Sequence, residues 1–340
     1  MKSESLKLNE FALIERFFKT SANAKLVSDV NSIALGIGDD CALFNTESLN
    51  QFAVTTDMLV EGRHFFAGAN PEWLGQKALA VNLSDLAAMG ASPLGFSLAL
   101  ALPTVDEGWL EAFSRGLHTL AHAYSCPLIG GDTTAGPLNI CITAFGSIPK
   151  EQAIKRSGAQ VGDDIWVSGI VGDARLTLAA LRHEIILPAS DLSEIQSRMH
   201  QPSPRIELGV ALRGIANSAI DVSDGLLGDL QHILKQSHKH AVVFMDQLPK
   251  SSTLLKQDLD LQNYFAACGG DDYELCFTAP INLSAQILRL SQTLDLPLTK
   301  IGSIGSPENK PAVITLMNSD GNILGEPETA ALLASFDHFA

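Results

Sequence analysis

Eight aspartates, Asp39, Asp40, Asp57, Asp132, Asp221, Asp224, Asp271 and Asp272, lie at glycine turns or at the ends of strand-like runs rather than along charged helix faces. Loops at strand ends are where α/β proteins place their ligands. One aspartate in such a place is as readily a turn former or a helix cap. Eight are harder to explain that way. Clustered carboxylates repel one another, and divalent cations relieve the repulsion. Magnesium binds through a few carboxylates, waters and substrate phosphates. The pattern suits phosphoryl transfer, in which positioning and charge neutralisation supply most of the catalysis.

Asp85 stands apart from these. The run Ala78-Leu79-Ala80-Val81-Asn82-Leu83-Ser84-Asp85-Leu86-Ala87-Ala88-Met89 is apolar nearly all round, which predicts a buried helix. Asn82 and Asp85 are spaced i, i+3 and share one face of it. A buried carboxylate needs a cation, a metal or strong donors. A structural salt bridge and a metal site both answer that need. Known phosphate-binding signatures are absent: there is no GxxxxGK loop followed by Ser or Thr, and no HRD or DFG set. Gly130-Gly131-Asp132-Thr133-Thr134 and Gly169-Ile170-Val171-Gly172-Asp173 are turns whose backbone N–H groups could meet phosphate, although each alone is a weak signal. Lysine is sparse around these segments, which leaves metals, backbone amides and Arg156 to carry positive charge.

These residues need a scaffold, and the chain predicts one of alternating strands and helices. Ala34–Gly38 and Phe52–Thr56 read as strands that end on Asp39-Asp40 and on Asp57. Asn70 and Pro71 form an N-cap and first position for a helix that ends at Gly90. Trp109 to Ala123 reads as a second helix and Leu138 to Ile148 as a long strand. The polar, glycine-containing stretch from Pro149 to Gly162 marks a boundary between residues 1–150 and 151–340. Beyond it, Ile165–Ser168 is a strand and Ala174–Arg182 a helix. Another helix follows Pro202, Pro204 and Arg205. A strand ends at Asp221, and a helix begins near Leu226. The fold class is α/β or α+β with two domains.

Bulk properties exclude several function classes. The 340 residues are 46% hydrophobic and 18% charged, a globular composition. A formal net charge of −15 argues against a nucleic-acid partner, which requires a basic footprint. The five cysteines, Cys41, Cys126, Cys141, Cys268 and Cys276, have no CxxC spacing, which fits free thiols in a reducing compartment. The N-terminal stretch is amphipathic without a signal-peptide core. No apolar run reaches the roughly 20 residues a bilayer span needs. A cytoplasmic, membrane-free protein is expected.

Taken in order, the motifs carry more. They are Gly36-Ile37-Gly38-Asp39-Asp40-Cys41-Ala42, Thr55-Thr56-Asp57, Gly62-Arg63-His64-Phe65, Asn82 to Gly90, Gly130 to Thr134, Arg156-Ser157-Gly158, Asp221-Val222-Ser223-Asp224-Gly225, Gly269-Gly270-Asp271-Asp272-Tyr273-Glu274-Leu275 and Asp337-His338-Phe339. This succession resembles the thiamine-monophosphate kinases from end to end, within the aminoimidazole ribonucleotide synthetase-like superfamily. The resemblance implies ATP-dependent phosphorylation of thiamine monophosphate to thiamine diphosphate. It implies a two-domain synthetase-like fold whose first domain binds ATP and pairs with its twin in a homodimer. Several magnesium ions (Mg2+) are implied, held by Asp40, Thr55, Thr56, Asp57, Asp85, Asp132, Asp221 and Asp224, with potassium (K+) a further candidate. Asp57 and Asp132 would be catalytic. Gly131, Asp132, Arg156 and Ser223 would contact ATP, and His64, Asp271 and Phe336 the substrate.

Two positions depart from the family pattern. Asp271 stands where glutamate is common, and Phe336 stands at an aromatic position where no hydroxyl is then available. Two rivals are set aside by what the chain lacks. A selenide-activating synthetase needs a cysteine in its first 35 residues, and the hydrogenase-maturation relative needs a C-terminal cysteine; this chain has neither. A binding protein that has lost turnover would have lost some of these aspartates, and all are present.

Overall fold

The computed structural model describes Ile14 and residues 32–46, 49–306 and 312–333. Two six-stranded sheets succeed one another along the chain. The first uses β1 (Ile33–Leu35), β2 (Ala42–Asn45), β3 (Asn50–Val60), β4 (Ser92–Leu102), β5 (Leu128–Ala135) and β6 (Asn139–Pro149) in the order β1-β2-β3-β6-β4-β5. The helices α1 (Pro71–Ala88) and α2 (Glu107–Ala123) lie between its strands in sequence. All its pairs are antiparallel except β4 with β5.

The second sheet uses β7 (Asp163–Ser168), β8 (Ser218–Asp221), β9 (His240–Phe244), β10 (Leu275–Pro280), β11 (Leu298–Gly305) and β12 (Ile314–Met317). Their order is β12-β9-β11-β7-β10-β8, and only β9 with β12 is parallel. Between these strands run α3 (Asp173–Leu181), α4 (Ala189–His200), α5 (Ile206–Ala211), α6 (Leu226–Ser237), α7 (Leu259–Cys268) and α8 (Ser284–Thr293), and α9 (Glu326–Leu332) follows the last. With antiparallel pairs dominant in both sheets, the fold is α+β.

The central helix α1 starts where its capping chemistry dictates. The Asn70 side chain accepts hydrogen bonds from Glu72 N at 2.9 Å and Trp73 N at 3.2 Å, and Pro71 sits first in the helix. It ends where Gly90 takes a left-handed φ of +67°. Most of its residues from Leu74 to Ala88 are buried, so the helix has no wet face to speak of. On one side it packs on α2 with glycines at the crossing: a Cβ on Gly116 would stand 1.8 Å from Glu72 O. On others it meets β3 and β6 of the first sheet, and β8 and α5 of the second. One hydrophobic cluster accordingly runs from Leu43, Phe96 and Ile142 through α1 to Trp166, Leu208 and Phe277. A second cluster fills the interior of the later sheet, around Ile165, Leu230, Val243 and Ile301.

Two sequence expectations change here. Asp57 does not end its strand: β3 runs three residues further, to Val60, because its whole length is laddered to β6. Asp132 is not in a turn. It lies inside the edge strand β5, where Gly131 is required because a Cβ there would stand 1.9 Å from Leu98 O. Close strand approach, not a reversal of the chain, explains that glycine. Among the described residues no helix is long and apolar enough to cross a membrane, and all five cysteines are free.

Candidate active site

Strand β3 alternates its side chains between two faces. Gln51, Ala53, Thr55 and Leu59 are buried on the inner face, and Phe52, Thr56 and Met58 are exposed on the outer. Thr55 and Asp57 therefore face α1. Thr55 Oγ1 donates a short hydrogen bond to Asp85 Oδ2, and Asp57 N donates to Asn82 Oδ1 at 3.2 Å. Asn82 is oriented in turn by donating to Ala78 O at 3.2 Å. One position from Asp85, Ser84 Oγ donates to Asp221 Oδ2 at 2.8 Å, joining α1 to the end of β8. The bend after β1 brings Asp40 to the same place. Asp40, Asp85 and Asp221 each present a carboxylate oxygen, and these atoms lie within 4.8 Å of one another.

The cluster is electrostatically strained. Burial, and then the charges of Asp57 and Asp221, hold the Asp85 carboxyl well above its ordinary range. Burial and the charge of Asp40 push Asp221 up to about 8, and the same two causes push Asp39 up to about 7. Arg156 supplies the compensating cation, with Nη2 2.5 Å from Asp40 Oδ1 and its backbone N–H shared by the Asp39 oxygens at 3.2 and 3.3 Å. Asp40 Oδ2 nevertheless remains buried without a hydrogen-bond partner. An orphaned carboxylate oxygen, like-charged neighbours and a nearby hydroxyl form an all-oxygen donor set. That set suits a hard divalent cation such as magnesium.

The remaining candidates are spread over several places. Thr56 is on the outer face of the first sheet, its Oγ1 2.9 Å from Thr143 Oγ1. Asp132 shares that face, in register with Ala99, Cys141 and Met58. It is thus three strand spacings from β3, or roughly 14 Å, and the single chain does not bring it to Asp40, Asp85 and Asp221. Ser223 and Asp224 lie in the loop after β8. There the buried Asp229 Oδ2 accepts N–H bonds from Ser223 at 3.0 Å, Asp224 at 3.1 Å and Gly225 at 3.2 Å. His64 Nδ1 accepts from Val60 N at 3.0 Å and closes the turn after β3. Asp271 N donates to Ser223 O at 2.8 Å, which ties it to the loop after β8. Phe336 and the Asp337-His338-Phe339 motif lie outside the described residues.

Three contributors are not among the expected site residues, although Tyr273 lies inside the Gly269–Leu275 motif. Asp229 holds the loop after β8. Tyr273 Oη donates to Asp271 Oδ1 at 3.2 Å. Lys77, 4% exposed on α1, places Nζ 2.9 Å from Asp271 Oδ2. The signal that marks Asp85, a charge inside an apolar helix, marks Lys77 equally.

Known proteins resemble this chain along most of its length. The family model for the AIR synthase related protein, N-terminal domain, matches residues 38–148. The thiamine-monophosphate kinase of Haemophilus influenzae is 45% identical over 334 residues, covering 98% of each chain. The crystal structure of thiamine-monophosphate kinase from Stenotrophomonas maltophilia superposes with a TM-score of 0.76 at 43% identity, over 91% of this chain and 96% of that one. The structure of AaThiL complexed with AMPPCP and TMP gives a TM-score of 0.78 at 28% identity, over 98% and 97%.

Proposed function

This chain belongs to the thiamine-monophosphate kinase family, and we propose that it carries out the family's reaction by direct in-line transfer at the carboxylate cluster around Asp40, Asp85 and Asp221. It is an ATP-dependent kinase that converts thiamine monophosphate to thiamine diphosphate. A terminal phosphate oxygen of the substrate forms a bond to the γ-phosphorus of ATP. The bond to the β,γ-bridging oxygen breaks, and its electron pair leaves with ADP. The attacking oxygen is already ionised near neutral pH, so the step asks for no strong general base.

The observation that carries this reading is the cluster itself, three carboxylates within 4.8 Å and a buried oxygen without a partner. Asp40, Asp57, Asp85 and Asp221, with the Thr55 hydroxyl, would hold magnesium, with Asp224 at its margin. The bound ion would supply charge neutralisation between the two phosphate groups. Asn82 and Ser84 orient the carboxylates, and Asp229 fixes the loop that carries Ser223 and Asp224. Arg156 stands against Asp40 and is placed to follow the ATP phosphates as negative charge arrives. His64 and Asp271 would meet the substrate.

We assign the nucleotide, metal and dimer contacts chiefly to residues 1–150. The outer face of the first sheet bears exposed Phe44, Phe52 and Met58, and β5 is exposed along its whole length as an edge strand. An edge of that kind invites pairing with another chain. A homodimer formed through this face would bring Thr56 and Asp132 to the nucleotide from the interface side. Free thiols fit a cytoplasmic location.

The test is to mix the purified protein with ATP, magnesium and thiamine monophosphate, with and without a chelator, and to separate the products. Chelator-sensitive thiamine diphosphate with stoichiometric ADP is expected. Folded protein that yields ADP without thiamine diphosphate would defeat the assignment.

A further inference from the structure

Lys77 has no place in the reaction described so far, yet it is a buried cation aimed at a residue of the proposed substrate site. Its side chain is 5% exposed and its partner Asp271 is 32% exposed, so solvent and ligands reach the carboxylate and not the ammonium. Lys77 Nζ holds Asp271 Oδ2 at 2.9 Å, and Tyr273 Oη holds Oδ1 at 3.2 Å. A carboxylate has about four lone-pair sites, so Asp271 keeps capacity to accept further hydrogen bonds on its open side.

The backbone around it is equally constrained. Asp271 and Tyr273 take left-handed φ values of 68° and 49°. Their N–H groups each donate at 2.8 Å to the loop after β8, Asp271 to Ser223 O and Tyr273 to Val222 O. The segment is thus tied to the loop that follows Asp221. Lys77 ties it to the first sheet's helix as well. Lys77 and Ser84 are seven residues apart on α1, two turns or about 10.5 Å along one face. Each grips a carboxylate from the second sheet's side, Asp271 and Asp221 respectively. The helix sets the distance between the metal end of the site and its far end. At that far end Trp73, one turn before Lys77, stacks on His200 with centroids 5.3 Å apart. His200 feels the charges of both Lys77 and Asp271.

We propose that Lys77 is a positioning residue for the substrate: by holding Asp271 to α1, it fixes that carboxylate as the acceptor for the thiamine end of thiamine monophosphate. The proposal rests on the placement of Asp271 at that end of the substrate. Lys77 touches no substrate atom in this arrangement and acts only through Asp271. The aminopyrimidine amino group of thiamine is a donor of the kind this carboxylate would accept.

Steady-state kinetics of Lys77→Met and Asp271→Asn, singly and together, test the proposal. Asp271 can turn to solvent when its partner is lost, so Lys77→Met leaves no buried charge stranded; Lys77→Gln serves should the methionine variant not fold. The KM for thiamine monophosphate is expected to rise about ten-fold in Lys77→Met, with kcat and the KM for ATP within about two-fold of the parent. In the Asp271→Asn background the same change is expected to add nothing. A folded variant with unchanged KM for thiamine monophosphate overturns the role of Lys77. So does a parallel loss in kcat and both KM values, the mark of loosened packing, or additivity with Asp271→Asn. An unchanged KM in Asp271→Asn alone instead sinks the placement of Asp271. Absence of thiamine diphosphate from the parent enzyme sinks the functional assignment.

Discussion

Asp57 and Asp85 sit where a strand meets a helix, and the charge of one adds to the burial that holds the other's carboxyl well above its ordinary range. A bound cation would relieve that strain. Asp57→Asn is expected to lower turnover about 100-fold or more while leaving the thermal midpoint at or above that of the parent. Asp132→Asn is expected to do the same from the opposite face of the sheet. Near-normal turnover of either at saturating magnesium would remove that residue from the machinery.

Proton linkage gives a second test at this scale. The folded-state values of Asp221, about 8, and Asp39, about 7, lie far above the roughly 3.9 of an unfolded aspartate. The folded protein retains protons that the unfolded chain has released. Its stability without magnesium therefore falls as pH rises from about 4 toward 8. Magnesium competes with those protons. Thermal scans should show saturating magnesium raising the midpoint by several degrees more at about pH 8 than at about pH 6. An equal shift at both would mean the ion binds elsewhere.

At the level of elements, α1 is legible in the sequence because its start and stop are local. Asn70 and Pro71 begin it and Gly90 ends it, and caps depend on neighbours in sequence. Asp85 is legible for a related reason, since a carboxylate inside an apolar run needs a partner. The faces of the strands are harder to read. Thr55 and Thr56 are adjacent and chemically alike, and only knowledge of which face α1 covers separates the one on Asp85 from the one on Thr143. Asp132 reads as a turn residue because two glycines precede it, whereas Gly131 serves the close approach of β5 to β4. Lys77 carries the same local signal as Asp85, but its partner, 194 residues away, escapes a local reading.

The crossing of α1 and α2 carries its own prediction. Gly116→Ala would drive a methyl group into Glu72 O, 1.8 Å away, and the helices must part. A loss of about 2–3 kcal/mol is expected from chemical denaturation. Unchanged stability would mean that the crossing relaxes freely.

The whole molecule poses the question of its partner. The exposed outer face of the first sheet and the open edge of β5 are surfaces that the described residues leave uncovered. Phe52, 46% exposed on that face, is a suitable probe. Phe52→Glu is expected to convert a dimer to a monomer in light scattering and to lower activity most at low protein concentration. A parent protein that is monomeric at every concentration would rule the dimer out, and with it a route for Asp132 to the nucleotide.

The burial of α1 from several sides has a consequence for how the molecule comes apart. Hydrophobic contacts run without a break from β3 and β6 through this helix to Trp166, Leu208 and Phe277. The connector between Pro149 and Asp163 joins two sheets whose interiors meet on this helix. Cutting the chain there would bare the apolar flank of α1 on one fragment and strand its mate on the other. A helix that grips Asp221 and Asp271 from the middle of that interior can open only by disturbing the packing on every side of it.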